Sequence, residues 1–140
     1  MIGIVVAAHL GYGSEMVRAA EGIVGRLDAV KAVVFNYGVS MEDARQMLIE
    51  AVDSVDTGEG VLVLTDMFGG TPNNVALHIM RDTHIEIVAG ANLPMLLKAQ
   101  AIRHEMALPE LARFITVYGS EKILNAKDFL CNLRDKEGKC

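Results

Sequence analysis

The chain has 140 residues, of which 51% are apolar, and a formal net charge of −5. This length accommodates a substantial core, and no apolar run approaches the roughly 18 residues that a membrane helix requires. The negative charge argues against a general binder of nucleic acid or of anionic membranes, because both need a basic surface. No positive charge precedes the first apolar run, so we expect no signal peptide.

The number and position of the cysteines indicate the redox state of the cellular compartment. There are two, Cys131 and Cys140, and both lie near the C-terminus. A disulfide framework would need more pairs, spread along the chain. We expect both to be free thiols in a reducing compartment, and we therefore predict a cytoplasmic protein.

Strand and helix patterns alternate along the chain. Four short apolar runs rich in β-branched residues predict strands buried on both faces. They lie at residues 2–8, 31–36, 60–65 and 86–89. Apolar residues at helical spacing predict five helices. They lie at residues 14–27, 40–55, 72–81, 95–105 and 109–118.

This alternation indicates βαβ units with right-handed crossovers, and hence an α/β fold with an open parallel sheet flanked by helices. We predict the strand order 2-1-3-4. Ser14 and Ser40 are predicted N-caps of the first two helices. No repeat or linker divides the chain, so we expect one domain over residues 1–133 and a charged tail over residues 134–140. Residues 128–133 are a candidate short final strand.

Unusual residues follow three of the four strands. His9 ends the first apolar run and precedes the glycine-marked turn LGYG. Asp66 follows the third strand and precedes MFGGTP, and Gly90 closes the fourth strand. Parallel sheets bind ligands outside the carboxyl ends of their strands. In the order 2-1-3-4 we expect these three loops to converge on one cleft.

A histidine and an aspartate at neighbouring strand ends suit nucleophilic chemistry. A carboxylate that accepts a hydrogen bond from one ring nitrogen leaves the other nitrogen unprotonated, as a nucleophile. It also stabilises the positive ring that forms on attack. Backbone N–H groups of Gly69, Gly70 and Thr71, at a helix N-terminus, would be open to oxyanions. We therefore predict catalytic roles for His9 and Asp66, phosphate binding by the GGT segment, and phosphoryl transfer as the chemistry.

Each part of this site also has a structural interpretation. His9 could be a polar residue that caps a strand, Asp66 could cap its own turn, and GGTP could be only a tight turn into a helix. The remaining histidines, His78, His84 and His104, have no metal-like spacing. We predict no metal and no cofactor.

Two other functions of parallel sheets are disfavoured. A receiver-like response regulator could use Asp66 as phosphoacceptor, but it would need an acidic pair for magnesium after the first strand, where this chain has AAH. A dinucleotide-binding enzyme would need GxGxxG there, and the sequence GYGSEM lacks the third glycine.

Three segments resemble the mannose-family enzyme IIA component of the bacterial sugar phosphotransferase system. They are IVVAAH, GVLVLTDMFGGTP and EIVAGANLPMLL, in the family's order and spacing, and the similarity covers about residues 1–120. The resemblance implies that His9 carries phosphate, that Asp66 orients it, and that Thr71 and its neighbouring glycines face the phosphate. It also implies an antiparallel edge strand exchanged within a homodimer, for which residues 128–133 are the candidate.

The partners follow from the same resemblance. Family members accept the phosphoryl group from the histidine phosphocarrier protein HPr and pass it to a IIB component, here expected to be a separate protein, for sugar uptake. No nucleic acid partner and no membrane insertion are expected. Ala8 and Leu10 depart from the family's threonine and glycine on either side of the histidine. A regulatory phosphohistidine module that signals to a protein partner, without transport, is the alternative.

Overall fold

The computed structural model describes residues 1–134 and contains a four-stranded parallel sheet. Its strands are β1 (Gly3–His9), β2 (Val30–Phe35), β3 (Val61–Thr65) and β4 (Ile85–Ala89). The order is β2-β1-β3-β4, with all three pairings parallel. The predicted fold class and strand order are confirmed, and the central position of β1 puts its C-terminal residue in the middle of the sheet edge.

Six helices accompany the sheet within the described residues. They are α1 (Tyr12–Val24), α2 (Met41–Val55), α3 (Thr71–Ile79), α4 (Leu93–Ile102), α5 (Leu108–Glu121) and α6 (Ala126–Arg134). Two separate cores result, because alternate residues of a strand point to opposite faces. Ile4 and Val6 pack with α1, α4 and α5. Val5 and Ala7 pack with α2 and α3 on the other face. Burial on both faces explains the near-continuous apolar sequence of β1.

The amino edge of the sheet is held by a buried arginine. The Arg103 guanidinium donates hydrogen bonds to the backbone carbonyls of Ile2, Asp28 and Ala29. Burial lowers the pKa of Arg103, and the negative charge of Asp28 opposes that shift. Ala29 has a φ of +48°, in the left-handed region, and its carbonyl also accepts from the Ile4 amide. Buried hydrogen bonds therefore occupy the amino edge of the sheet, whereas the loops at the carboxyl edge are open to solvent.

Two predictions about the ends of elements are wrong. Residues 128–133 lie in α6 and form no strand, so the described residues contain no antiparallel edge strand of the kind predicted. Asn125 Oδ1 accepts from the Asp128 amide at 3.2 Å, and this cap favours helix. Ser14 is not an N-cap, because α1 begins earlier, with Gly11 at the N-cap. Ser40 does cap α2, accepting from the Asp43 amide.

The C-terminal predictions fall mostly beyond the described region. Cys131 is disulfide-bonded, so the prediction of a free thiol is wrong for this residue. Cys140 lies outside the described residues, as does the predicted tail apart from Arg134, which ends α6. Among residues 1–134, no helix is both long enough and apolar enough to cross a membrane.

Candidate functional site

The sheet register brings His9 and Asp66 together. His9 is the last residue of β1 and lies opposite Phe35 of β2. On the other side of β1, Ala7 lies opposite Thr65, the last residue of β3. Asp66 follows at once, so its side chain emerges beside His9 at the carboxyl edge. The predicted juxtaposition of these two residues is confirmed.

Two hydrogen bonds join the histidine to one carboxylate oxygen. Asp66 Oδ2 lies 2.7 Å from His9 Nδ1 and accepts from the His9 backbone amide at 3.0 Å. The other oxygen, Oδ1, accepts from the Met67 amide at 3.0 Å. Because an ionised carboxylate only accepts, this contact with the carboxylate requires the proton on Nδ1. In the neutral imidazole Nε2 then carries the free lone pair, and Nε2 has no hydrogen-bond partner within residues 1–134.

Burial differs between the two side chains. Asp66 is 12% exposed and His9 is 42% exposed. The carboxylate is thus held away from water by its three hydrogen bonds, while one side of the imidazole stays open to solvent. This arrangement fixes the ring and leaves it accessible to a reacting group.

The two glycines that follow the aspartate loop serve different physical purposes. Gly69 has a φ of +83°, a conformation that glycine adopts at little cost. Gly70 is needed for space, because a Cβ built there would lie 2.6 Å from His9 Cε1 and 3.3 Å from Nε2. The imidazole therefore packs directly against the backbone at the N-terminus of α3.

This turn presents unused donors beside the imidazole. Gly70 is the N-cap of α3, and Thr71 is the first residue of that helix. Across residues 1–134, the amides of Gly69, Gly70 and Thr71 take part in no hydrogen bond. Asn74 Nδ2 donates to the Gly69 carbonyl at 3.3 Å and holds the turn. Free amides at a helix N-terminus favour oxyanions.

A cleft of about 580 Å³ opens beside this pair. It is lined by the loops that follow β1, β2 and β3. Its lining residues are His9, Leu10, Phe35, Asn36, Tyr37, Gly38, Val39, Asp66, Met67 and Thr71. Apart from His9, Asp66 and the Tyr37 phenol, these lining side chains carry no ionisable group.

The loop after β4 does not line this cleft, which corrects the predicted convergence of three loops. It supports the site from behind: the Ala91 amide donates to the Thr65 carbonyl at 2.9 Å, and the Tyr12 hydroxyl donates to the Ala91 carbonyl at 2.7 Å. The third lining loop instead follows β2 and contains Tyr37 and Gly38. The order 2-1-3-4 makes β2 the other neighbour of β1, so the predicted topology could have identified it.

Leu10 adopts an unusual backbone conformation directly after His9. Its φ is +49°, in the left-handed region that disfavours residues with a Cβ. Its amide donates to the Phe35 carbonyl at 3.1 Å. Leu10 departs from the glycine of the family that the sequence resembles, and the backbone at Leu10 adopts a conformation that suits glycine.

The remaining histidines lie away from the His9 cleft. His78 is on α3, His84 precedes β4, and His104 follows α4. In the part of the chain that the structure describes, no three histidine, cysteine, aspartate or glutamate side chains are grouped so as to hold a metal ion.

Comparison with known proteins decides the family. A sequence model described as "PTS system fructose IIA component" (EIIA-man), where PTS is the phosphotransferase system, matches residues 3–116. The chain belongs to this family of IIA components. It is 30% identical over 112 residues to the PTS fructose-specific EIIA component of Bacillus subtilis, covering 79% of this chain and 77% of that protein. It is 32% identical over 130 residues to the PTS mannose-specific EIIAB component of Escherichia coli K12, covering 90% of this chain and 40% of that protein.

The fold of this IIA chain also matches solved structures. The phosphotransferase system component EIIA from Streptococcus agalactiae superposes with a TM-score of 0.82 at 30% identity, covering 91% of this chain and 99% of that one. The resemblance found in the sequence is therefore confirmed. Membership places the chain in the sugar phosphotransferase system and gives it a phosphotransferase role in general terms.

Proposed function

We propose that this IIA chain is a phosphoryl carrier that accepts phosphate on His9 from phospho-HPr and passes it to a IIB component. The observation that carries the proposal is the 2.7 Å contact between His9 Nδ1 and the largely buried Asp66 carboxylate, which leaves Nε2 facing an open cleft. Together with family membership, this contact supports a nucleophilic role for His9 over a strand-capping role.

The transfer balances without a net movement of protons. The Nε2 lone pair of His9 attacks the phosphorus atom of the donor's phosphohistidine, and the phosphorus–nitrogen bond of the donor breaks. That electron pair returns to the donor ring, whose other nitrogen keeps its proton, so a neutral imidazole leaves. His9 keeps its proton on Nδ1, so its phosphorylated ring is positively charged, and the Asp66 carboxylate stabilises that charge. Transfer of the phosphoryl group to the IIB component follows the same steps, with phosphorylated His9 as the donor.

The turn over residues 69–71 completes the site in this proposal. The unbonded amides of Gly69, Gly70 and Thr71 and the partial positive charge of the α3 N-terminus would stabilise the equatorial phosphoryl oxygens. Such preorganised donors supply most of the catalysis in phosphoryl transfer, because the transferred group itself needs little covalent assistance.

The experiment is phosphorylation by phosphoenolpyruvate, enzyme I and HPr. We expect acid-labile, base-stable phosphate on the unmodified chain, loss of that label in His9→Ala, and its retention in the control His104→Ala. Persistence of the label in His9→Ala would overturn the assignment of His9. Asp66→Asn is expected to slow transfer by about 10²- to 10⁴-fold while leaving the fold intact; an unchanged rate would exclude the orienting role of Asp66.

The proposal includes the setting of the chain. We propose one IIA domain over residues 1–133 in the cytoplasm, acting as a homodimer without a cofactor and without a nucleic acid partner. Sedimentation velocity tests the dimer. Growth of a deletion strain on different sugars separates transport from regulation, because a transport component is required for uptake of at least one sugar, whereas a regulatory module is not.

A further inference from the structure

Exposed apolar side chains surround the opening of the His9 cleft. Four of them form what we call the apolar rim: Leu10, Tyr37, Met67 and Phe68. Tyr37 is 94% exposed, Phe68 is 78% exposed, and the other two are about half exposed. Three of the four line the cleft itself, and Phe68 follows Met67 in the same loop. Concentrations of exposed apolar side chains mark surfaces that bind partners.

Leu10 is the member of the rim that the fold does not require. Its φ of +49° is unfavourable for leucine. Glycine could donate the same backbone hydrogen bond to the Phe35 carbonyl without that disadvantage. Its side chain is 46% exposed, so half of the apolar surface faces solvent next to the reacting imidazole. Backbone strain of this kind concentrates where a binding or catalytic role maintains it.

We propose that Leu10 contacts the protein that donates the phosphoryl group and selects a donor whose own phosphorylated residue is surrounded by apolar side chains. The inference rests on the proposed function, since any donor must reach Nε2 through the opening that the rim surrounds. The rim offers no charged side chain for ion pairing, so recognition by contact of apolar surfaces is the chemistry available to it.

Three substitutions at position 10 distinguish the effect of the side chain from the effect of the backbone conformation. Leu10→Gly and Leu10→Asn both tolerate a positive φ and both remove the apolar contact. Leu10→Met keeps an apolar side chain of similar volume. Ala29→Gly is the matched control, because Ala29 has a φ of +48° at the opposite edge of the sheet, remote from His9.

The measurement is the steady-state rate of phosphoryl transfer from phospho-HPr at several concentrations of that donor. We expect Leu10→Gly and Leu10→Asn to raise KM by about three- to tenfold with little change in kcat, because they lose the contact of the exposed half of one leucine side chain. Leu10→Met and Ala29→Gly should keep the KM of the unmodified chain. KM should change little between about 50 mM and about 500 mM salt, since apolar contacts are insensitive to screening.

Three results would overturn this role. An unchanged KM in both Leu10→Gly and Leu10→Asn would show that the donor does not contact the side chain. A fall in kcat alone would show that Leu10 acts on the imidazole and not on the donor. Loss of self-association in Leu10→Asn, with an unchanged KM, would make the rim a contact between two copies of this chain. If the unmodified chain takes no label from phospho-HPr, the proposed function itself fails, which is a distinguishable outcome.

Discussion

The close approach of Gly70 to the His9 imidazole predicts a large effect from one methyl group. In Gly70→Ala the new Cβ would lie 2.6 Å from His9 Cε1, whereas carbon atoms make favourable contact at about 3.5–4.0 Å. The imidazole would therefore have to move by about 1 Å. It cannot do so freely, because its Nδ1 is bound to Asp66 Oδ2 at 2.7 Å. A shift of that size stretches this bond beyond hydrogen-bonding distance.

The size of the effect follows from the bond that is lost. A hydrogen bond to a charged group contributes about 1.5–3 kcal/mol, and each 1.36 kcal/mol in the barrier changes a rate about tenfold. We expect phosphoryl transfer from phospho-HPr in Gly70→Ala to slow by about 10- to 150-fold. Rapid-quench measurement of a single turnover gives this rate directly.

Gly25→Ala is the matched control for this variant, because Gly25 follows the last residue of α1, away from the His9 cleft. A Cβ at Gly25 meets no atom of the described residues within 4 Å, but the φ of +87° is strained for alanine. The expected cost is about 1–2 kcal/mol of stability, with a transfer rate near that of the unmodified chain. Transfer at full rate by Gly70→Ala, or equal slowing in both variants, would refute the argument that close packing against Gly70 holds the imidazole.

The structure supports three further predictions. Ser40→Ala removes the cap on the Asp43 amide and should cost about 1 kcal/mol in urea unfolding, with no effect on transfer; a loss of transfer in folded protein would contradict this. Arg103→Met removes three hydrogen bonds to backbone carbonyls and should lower Tm by about 10 °C, from a loss of about 3 kcal/mol; an unchanged Tm in calorimetry would exclude that role. Tyr12→Phe removes the bond to the Ala91 carbonyl and should cost about 1 kcal/mol in the same unfolding assay, with an unchanged midpoint counting against it.

The sheet could be predicted from the sequence because its strands are buried on both faces. The runs IVVAA and VLVLT leave little alternative to a strand covered by helices. The helix ends were less predictable. Both Ser14 and Ser40 suit an N-cap, but α1 begins before Ser14, at Tyr12. The Tyr12 hydroxyl donates a hydrogen bond to the Ala91 carbonyl, a contact between residues distant in sequence. Local patterns do not contain such tertiary contacts.

The meeting of His9 and Asp66 was predictable, and the shape of the cleft was less so. The two residues meet because β1 and β3 are neighbours in the sheet. The βαβ pattern predicts parallel strands, and the predicted order 2-1-3-4 places these two strand ends side by side. The contribution of Tyr37 was missed, because NYGVS has the composition of an ordinary turn. The strand prediction for residues 128–133 overlooked the apolar spacing of Phe129, Leu130 and Leu133, which is that of an amphipathic helix.

Within residues 1–134, two residues other than glycine have a left-handed backbone conformation, Leu10 and Ala29, and the difference between them explains why Leu10 is distinctive. The Ala29 carbonyl accepts hydrogen bonds from the Ile4 amide and from Arg103. The backbone conformation of Ala29 therefore contributes to the hydrogen bonding at the amino edge of the sheet. The backbone at Leu10 makes one comparable bond, from its amide to Phe35. Glycine would make that bond equally well and would avoid the unfavourable φ. The hydrogen bonding of the backbone therefore gives no reason for leucine at this position, and its exposed side chain beside the imidazole is explained by the proposed contact with a phosphoryl donor.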